Sequence, residues 1–429
     1  MRIVIVSDYG SVNGGAAKMA LIGARALAER GHEVHFVCAT DPSDPALQHP
    51  DIHVHHLGQA DVWTERNPLR AAARGIWNGA AARRLCVLLA SFDPRDTIVH
   101  FHQWTKALSP SMIGAAAASA LPNAFTLHDY FLFCPNGIYF DHARRSPCQR
   151  RPLSVACLAA ACDSRSHAHK AVRVIRQIGS NRVLRRLASP LNLIHVSRSA
   201  SRLASTHFPE DSRHFLVPNP VAMPKLEPVD VRANHAFVYI GRFTAEKGPA
   251  VFARAARAAG VPAVFLGGGP EAACLRAANP DAELHPWGPD AAVESLLVRA
   301  RTLVFPSLWH ETSGLVALEA MSKGVPVICG PGTGAADWVE DGANGFLVEP
   351  GDVAGLHARV RQLAEDDDLA ADLGQQAYLR YWRNGPTIEA HAERLEAVYD
   401  VILNRQGRDG APPRVAVSRP TPAREHAGR

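Results

Sequence analysis

Phe305-Pro306-Ser307-Leu308-Trp309-His310-Glu311-Thr312-Ser313-Gly314-Leu315-Val316-Ala317-Leu318-Glu319-Ala320-Met321-Ser322-Lys323-Gly324-Val325-Pro326-Val327-Ile328-Cys329-Gly330 decides the reading of this 429-residue chain. Leu315, Val316, Leu318 and Met321 lay an apolar stripe on a helix. The Thr312-Ser313-Gly314 turn before it offers backbone N–H groups with no intrahelical acceptor. A buried strand over Gly324–Cys329 follows. Read as one helical run, the spacing of Glu311 and Glu319 sets their carboxylates roughly 12 Å apart along the axis. That span suits a nucleoside diphosphate sugar, with one acid near the sugar, the helix start at the phosphates and the other acid at the ribose hydroxyls.

Outward from this stretch the chain reads as repeated α/β units. Ile3–Val6 is a strand, Asp8–Gly15 a glycine-rich loop, Ala16–Arg30 an amphipathic helix and Val34–Cys38 the next strand. Further strands are expected at Thr97–Phe101, Asn123–Leu127 and Leu193–Val196. A second series starts near Ala236, with strands at Phe237–Ile240, Ala263–Leu266 and Leu303–Phe305 and helices at Ala250–Ala259 and Glu271–Ala278. The proline-rich stretch Pro218–Pro228 marks the join. The expected divisions are residues 1–222, 223–385, a closing helix over 386–404, and a tail over 405–429 whose Pro, Arg and Gly content reads as disordered.

Three more elements carry chemistry. Gly241-Arg242-Phe243-Thr244-Ala245-Glu246-Lys247-Gly248 follows a strand and sets two cations beside a glycine turn, where they can hold a diphosphate. Asp8-Tyr9-Gly10-Ser11-Val12-Asn13-Gly14-Gly15 precedes the first helix and lets backbone approach a ligand closely. It lacks the Gly-x-Gly-x-x-Gly dinucleotide spacing, as does Gly267-Gly268-Gly269-Pro270, which argues against a dehydrogenase. Thr126-Leu127-His128-Asp129 places a histidine at a strand end.

Together these elements closely resemble retaining glycosyltransferase family 4, the glycosyl transferases group 1 with the GT-B fold. The resemblance rests on Glu311-x7-Glu319 with its flanks, on Arg242-x4-Lys247-Gly248, on Gly14-Gly15 and on His128. It is supported by Val196-Ser197, Val217-Pro218-Asn219, Gly332-Thr333-Gly334 and Asn344–Val348. Pro220 and Thr333 stand where the family usually has glycine. The resemblance implies two Rossmann-like domains facing across a cleft, the first binding acceptor and the second binding donor, with the closing helix returning to the first. It implies that Arg242 and Lys247 bind the donor phosphates and that Glu311 orients the sugar. Glu319 would then hold the ribose and His128 contact the sugar, with Gly14, Gly15, Ser313, Gly314 and Leu315 lining the donor site. It calls for no cofactor and no divalent ion. The expected partners are a nucleotide-sugar donor, UDP- or GDP-sugar foremost, and a polysaccharide or lipid-linked acceptor. Another GT-B enzyme, such as a nucleotide-sugar epimerase, and a noncatalytic nucleotide-sugar-binding scaffold are the alternatives.

Composition agrees with a soluble enzyme: 47% apolar and 20% charged residues, and no apolar run near the roughly 20 residues that span a bilayer. The amino terminus reads as a strand rather than a signal peptide, so the chain is expected to be cytoplasmic. Net charge is +5, but residues 141–190 hold eleven Lys or Arg against Asp141 and Asp163. That concentration suggests peripheral contact with an anionic inner-membrane face or with a lipid-diphosphate acceptor. Nucleic acid is not expected, because no nucleic-acid motif accompanies the charge. Cys134, Cys148, Cys157 and Cys162 cluster in the same region. Their spacing matches no zinc ribbon, leaving free thiols, a structural metal site or disulfides as readings.

Overall fold

The computed structural model describes residues 1–404 except 41–42, 63 and 188–189. The tail expected to be disordered lies outside the described residues. Fifteen strands are labelled in chain order: β1 (Arg2–Tyr9), β2 (Glu33–Thr40), β3 (Ile52–His56), β4 (Thr97–Phe101), β5 (Asn123–Leu127), β6 (Phe140–Asp141), β7 (Ser146–Pro147), β8 (Asn192–His195), β9 (Arg213–Leu216), β10 (Ala236–Ile240), β11 (Ala263–Leu266), β12 (Glu283–His285), β13 (Ala300–Phe305), β14 (Val327–Cys329) and β15 (Gly345–Leu347).

Two parallel sheets form. The first has the order β3-β2-β1-β4-β5-β8-β9 and the second β12-β11-β10-β13-β14-β15. All neighbouring pairs in both run parallel. β4, β5, β8, β11 and β13 are buried along their whole length, as parallel strands covered by helices on both faces must be. Each sheet starts at an interior strand, builds outward to one edge, then returns to the other side of that first strand. This is the doubly wound, Rossmann-like order, with strand direction of travel reversing between β1 and β4 and again between β10 and β13. Ligands in such sheets bind beyond the carboxyl ends of the strands at that reversal.

The described chain divides into two compact units: Met1–Pro135, Ala171–Pro218 and residues 389–404 form one, and Asn136–Lys170 with Asn219–Ile388 the other. Residues 136–170, counted with the first domain on sequence grounds, thus fall in the second unit. There the β6–β7 hairpin is held by Arg150 Nη1 on Asp141 at 2.7 Å, and Arg145 pairs with Glu271 at 2.9 Å. The last helix, Ile388–Ile402, places Leu395, Val398, Tyr399 and Ile402 in the core of the first unit beside Ile3, Ile5 and Phe36. Tyr399 Oη meets Nδ1 of the wholly buried His100 at 2.7 Å, and His100 Nε2 meets Thr126 Oγ1 at 2.7 Å. Among the described residues no helix is long and apolar enough to cross a membrane.

One buried cation organises the second unit. Arg301 on β13 is 1% exposed. Its Nε donates to Leu363 O at 2.8 Å, Nη1 to Val231 O at 3.0 Å and Arg232 O at 3.2 Å, and Nη2 to Asp367 at 2.6 Å. A guanidinium fork satisfies four acceptors on three segments, which an ammonium cannot reach together. Arg301→Lys is therefore expected to destabilise the second unit by about 3 kcal/mol, as buried carbonyls lose their donors, read as a lower midpoint in denaturant unfolding.

Burial holds several first-unit histidines neutral. It lowers His100, His128 and His195 to about 3 and His391 to about 4. Their folded pKa values lie below the unfolded value, so the stability they favour is present above about pH 6.5 and is lost as pH falls toward 3–4. Each can contribute up to about 2 kcal/mol of loss between pH 6.5 and 5. Urea midpoints measured at pH 7, 6 and 5 are expected to fall steeply, and His195→Gln should make the fall shallower.

Candidate functional site

In the second unit the site is built where β10 and β13 end side by side. The loop after β10 carries Arg242 and Lys247, and the loop after β13 carries Ser307 and Glu311. Gly248 has φ +65°, and a Cβ there would lie 2.1 Å from Pro306 O. Only glycine allows that approach, and it sets Lys247 against the second loop. Lys247 Nζ makes an ion pair with Glu311 Oε1 and lies 5.5 Å over the Trp309 ring. Ser307 Oγ donates to Glu311 Oε2 at 2.9 Å, so both carboxylate oxygens are held. The two charged side chains are only 15% and 13% exposed, which strengthens their attraction relative to a surface pair.

Arg242 is different. Its side chain is 64% exposed, with Nη2 3.4 Å from the buried Glu246. Thr244 Oγ1 donates to the same Glu246 oxygen at 2.7 Å, and Leu308 N donates to Glu246 O at 2.8 Å. Tyr239 Oη donates to Arg242 O at 2.7 Å. Burial, with Glu311 and Glu246 nearby, pushes the Tyr239 hydroxyl well above its ordinary range, so it stays a donor. The site therefore offers one outward cation and one paired cation.

The helix of the decisive stretch spans Leu315–Ser322, with Gly314 capping it at φ +88°. Glu311 lies before it rather than on it, so the 12 Å helical span between the two acids does not hold. The left-handed turn at Gly314 breaks the helical run, and a Cβ there would press to 3.0 Å on the Ala335 side chain. Gly334 N donates to Glu311 O at 2.7 Å and fixes the turn. The N–H groups from Leu315 onward open the helix beyond Ser313 and Gly314, next to the ion pair in sequence. Glu319 sits in the second turn, and burial, with the Glu319 charge nearby, raises the Tyr381 hydroxyl above its ordinary range.

In the first unit, Gly14 and Gly15 open the helix Gly15–Glu29, with Gly14 as its cap and no side-chain cap bond. Asp8 does not belong to that loop. It lies inside β1, fully buried, and its carboxylate accepts from Thr105, Lys106, Ala107 and Leu108 N–H at 2.8–3.0 Å. His128 follows β5 and its Nε2 lies 2.9 Å from His102 Nδ1, with the rings stacked at 5.1 Å. Burial holds both imidazoles neutral, His102 well below its usual range. Burial pushes the neighbouring Asp129 up to about 6, and its Oδ1 accepts from Phe131 N at 3.0 Å. Residues missed on sequence grounds are His102, Ser307 and Glu246. His102 ends a strand just as His128 does, and Ser307 lies four residues before Glu311, so both had a positional signal.

The basic region is less open than its composition suggests. Lys170 is buried, with its ammonium on Cys157 O and Ala160 O. Arg145 and Arg150 are ion-paired, and Arg176 donates to Thr105 O at 2.9 Å while stacking on Phe131. Among the described residues none of Cys134, Cys148, Cys157 and Cys162 is in a disulfide. They do not form a group of three or more ligand atoms mutually within 4.8 Å. Among the described residues that arrangement occurs at Glu33, His35 and His53.

Comparison with known proteins agrees with the two-sheet architecture. The family profile described as Glycosyl transferases group 1 matches residues 232–380, and that described as Glycosyltransferase Family 4 matches residues 13–223. The O-antigen chain mannosyltransferase B of Escherichia coli is 38% identical over 111 residues, 25% of this chain and 28% of that protein. The matched stretch thus spans little more than a quarter of that relative. Among solved structures, sucrose-phosphate synthase from Thermosynechococcus elongatus superposes with a TM-score of 0.69 at 17% identity, covering 94% of this chain and 99% of that one. Anabaena HepE in complex with UDP-glucose superposes at 0.63 and 17% identity, covering 94% and 100%. With one profile on each Rossmann-like half and whole-length likeness in fold, the chain belongs to the family 4, group 1 glycosyltransferases of GT-B fold.

Proposed function

We propose that this chain is a retaining glycosyltransferase that moves a hexosyl group from a nucleoside diphosphate sugar to an acceptor hydroxyl, in the building of cell-surface polysaccharide or a lipid-linked oligosaccharide. The observation that carries the reading is the Lys247–Glu311 pair, held by Ser307 at the carboxyl ends of β10 and β13. A fixed cation and a fixed carboxylate at a strand-order reversal suit a ligand with a diphosphate at one end and sugar hydroxyls at the other. The solved HepE complex holds UDP-glucose, which supports a UDP-sugar as the first donor to try.

In this reading Arg242 and Lys247 bind the diphosphate and offset the charge that grows on it as the glycosidic bond breaks. The N–H groups at Ser313, Gly314 and Leu315 add partial positive charge at the same end of the ligand. Glu311 accepts from sugar hydroxyls and orients the ring, and Glu319 accepts from the ribose hydroxyls. Gly14 and Gly15 line the donor site with open backbone. His128, kept neutral by burial, donates or accepts a hydrogen bond at the sugar without adding charge, and His102 fixes its ring. The acceptor hydroxyl attacks on the face from which the diphosphate leaves, and a donor phosphate oxygen takes its proton. Because the cations and the helix start stabilise the leaving group, no divalent ion is required. The exposed arginines of residues 141–190 would meet an anionic lipid surface or a lipid-diphosphate acceptor, with the chain working on the cytoplasmic side.

Donor-dependent thermal stabilisation and sugar transfer test the reading together. UDP or a UDP-sugar is expected to raise the melting temperature of the wild type, and Lys247→Ala to abolish the shift while lowering kcat on the order of 10²–10³-fold. Transfer at full rate by Lys247→Ala would overturn it. Stabilisation without transfer to any acceptor would favour a binding scaffold, and product without acceptor an epimerase. Glu319→Ala is expected to raise KM for the donor with a smaller change in kcat, the mark of binding lost equally in ground and transition states. Turnover in EDTA should equal turnover without it.

A further inference from the structure

We propose that Glu33, His35 and His53 form a binding site for a first-row divalent transition metal, zinc foremost, that pins the edge strand β3 to β2. The three ligand atoms lie within 4.8 Å of one another. Their placement follows from strand geometry. Side chains two apart on a strand share a face, so Glu33 and His35 point together from β2. β3 lies alongside in parallel register with His35 opposite His53, which brings His53, and His55 two residues on, to the same face. The His35 and His53 ring centroids are 5.0 Å apart and those of His35 and His55 are 5.2 Å apart.

The hydrogen bonds leave the set ready for a cation. His35 Nε2 lies 2.9 Å from Glu33 Oε1, and His35 Nδ1 lies 2.9 Å from His55 Nε2. With a metal on His35 Nε2 in place of the bond to Glu33, Nδ1 keeps its hydrogen bond to His55. The result is a ligating imidazole oriented by a hydrogen bond from its second nitrogen.

The surroundings suit zinc better than magnesium or calcium. Two imidazoles and one carboxylate are ligands of intermediate softness, and zinc accepts three protein ligands with a fourth position open. Ligand atoms around a tetrahedral zinc are ~3.4 Å apart, within reach of side-chain rotation from the present spacing. Arg2 occupies only Glu33 Oε2, at 2.9 Å, and its charge is shared with Asp96 at 3.6 Å. The Phe92 ring packs 4.6 Å from His35 and limits its movement. The cluster lies toward the amino ends of the strands, whereas His128 follows the carboxyl end of β5, so the metal serves the sheet edge and not the transfer reaction.

The test uses the full chain, freed of metal by a chelator, in calorimetric titration with Zn²⁺ and in visible spectra with Co²⁺. Wild type is expected to bind one strong equivalent of Zn²⁺, to show the d–d bands of tetrahedral Co²⁺, and to melt higher with Zn²⁺ present. His53 is exposed, so His53→Ala should fold as wild type does, lose the Co²⁺ bands and bind on the order of tenfold more weakly or worse. His167→Ala with His169→Ala, on an exposed helix start, serves as the control and should change nothing. The proposal is overturned if wild type shows no strong equivalent, if His53→Ala binds as wild type does, or if affinity follows the helix histidines.

Discussion

The contact of Gly248 with the carbonyl of Pro306 is the constraint on which the geometry of the second-unit site rests. It brings the loop after β10 into van der Waals contact with the loop after β13, and those are the strands between which the sheet order reverses. A methyl group at residue 248 would force the loops apart, and Lys247 would no longer meet Glu311. Ser307 and Glu246 then finish what the glycine begins. Ser307 holds the second oxygen of Glu311, and Glu246 receives Arg242, Thr244 and the Leu308 N–H. Lys247 is thus positioned by a largely buried frame, whereas Arg242 reaches outward from it.

The pairing of Lys247 with Glu311 also bears on charge. Alone, a largely buried ammonium or carboxylate carries a large desolvation penalty, and together they offset it. Arg242 is outward and weakly held, so one cation of the site is paired with an acid and the other faces outward. On the side of His128 the design is opposite. Neutral, buried imidazoles supply hydrogen bonds with no net charge, and their neutrality follows from enclosure among His100, His102 and His391.

Much of this was legible in the sequence, because interior parallel strands are continuous apolar runs bounded by turns. Thr97–Phe101, Asn123–Leu127 and Ala263–Leu266 stand at the residues expected. The edge strands were not legible. Ile52–His56 alternates with histidine, Arg213–Leu216 opens with two polar residues, and Glu283–His285 is mostly exposed. One-sided burial leaves too weak an apolar signal in so few residues. Of the site, charge types and glycines could be read, but partners could not. That Lys247 closes on Glu311 depends on two loops 59 residues apart in sequence, from Gly248 to Ser307, meeting at one sheet reversal. The 12 Å separation of Glu311 and Glu319 was misread for a related reason, since the apolar stripe begins at Leu315 whether or not the chain is already helical at Glu311.

Histidine shows how far location decides chemistry in this chain. The first sheet carries it on β2, β3, β4, β8 and β9. At the centre, on β4, His100 has both nitrogens engaged by Tyr399 and Thr126, and no lone pair is left for an outside ligand. At the edge, β3 has no further strand beyond it among the described residues, so His53 reaches solvent and its nitrogens meet whatever the solution supplies. A sheet edge is also where an unpaired strand invites pairing with another chain, which natural proteins prevent by charge or by cover. A cation bridging β2 and β3 would place positive charge on that edge and fix the strand's register at once. The same residue type therefore closes the centre of the sheet by hydrogen bonding and guards its margin by coordination, and position in the sheet separates the two roles.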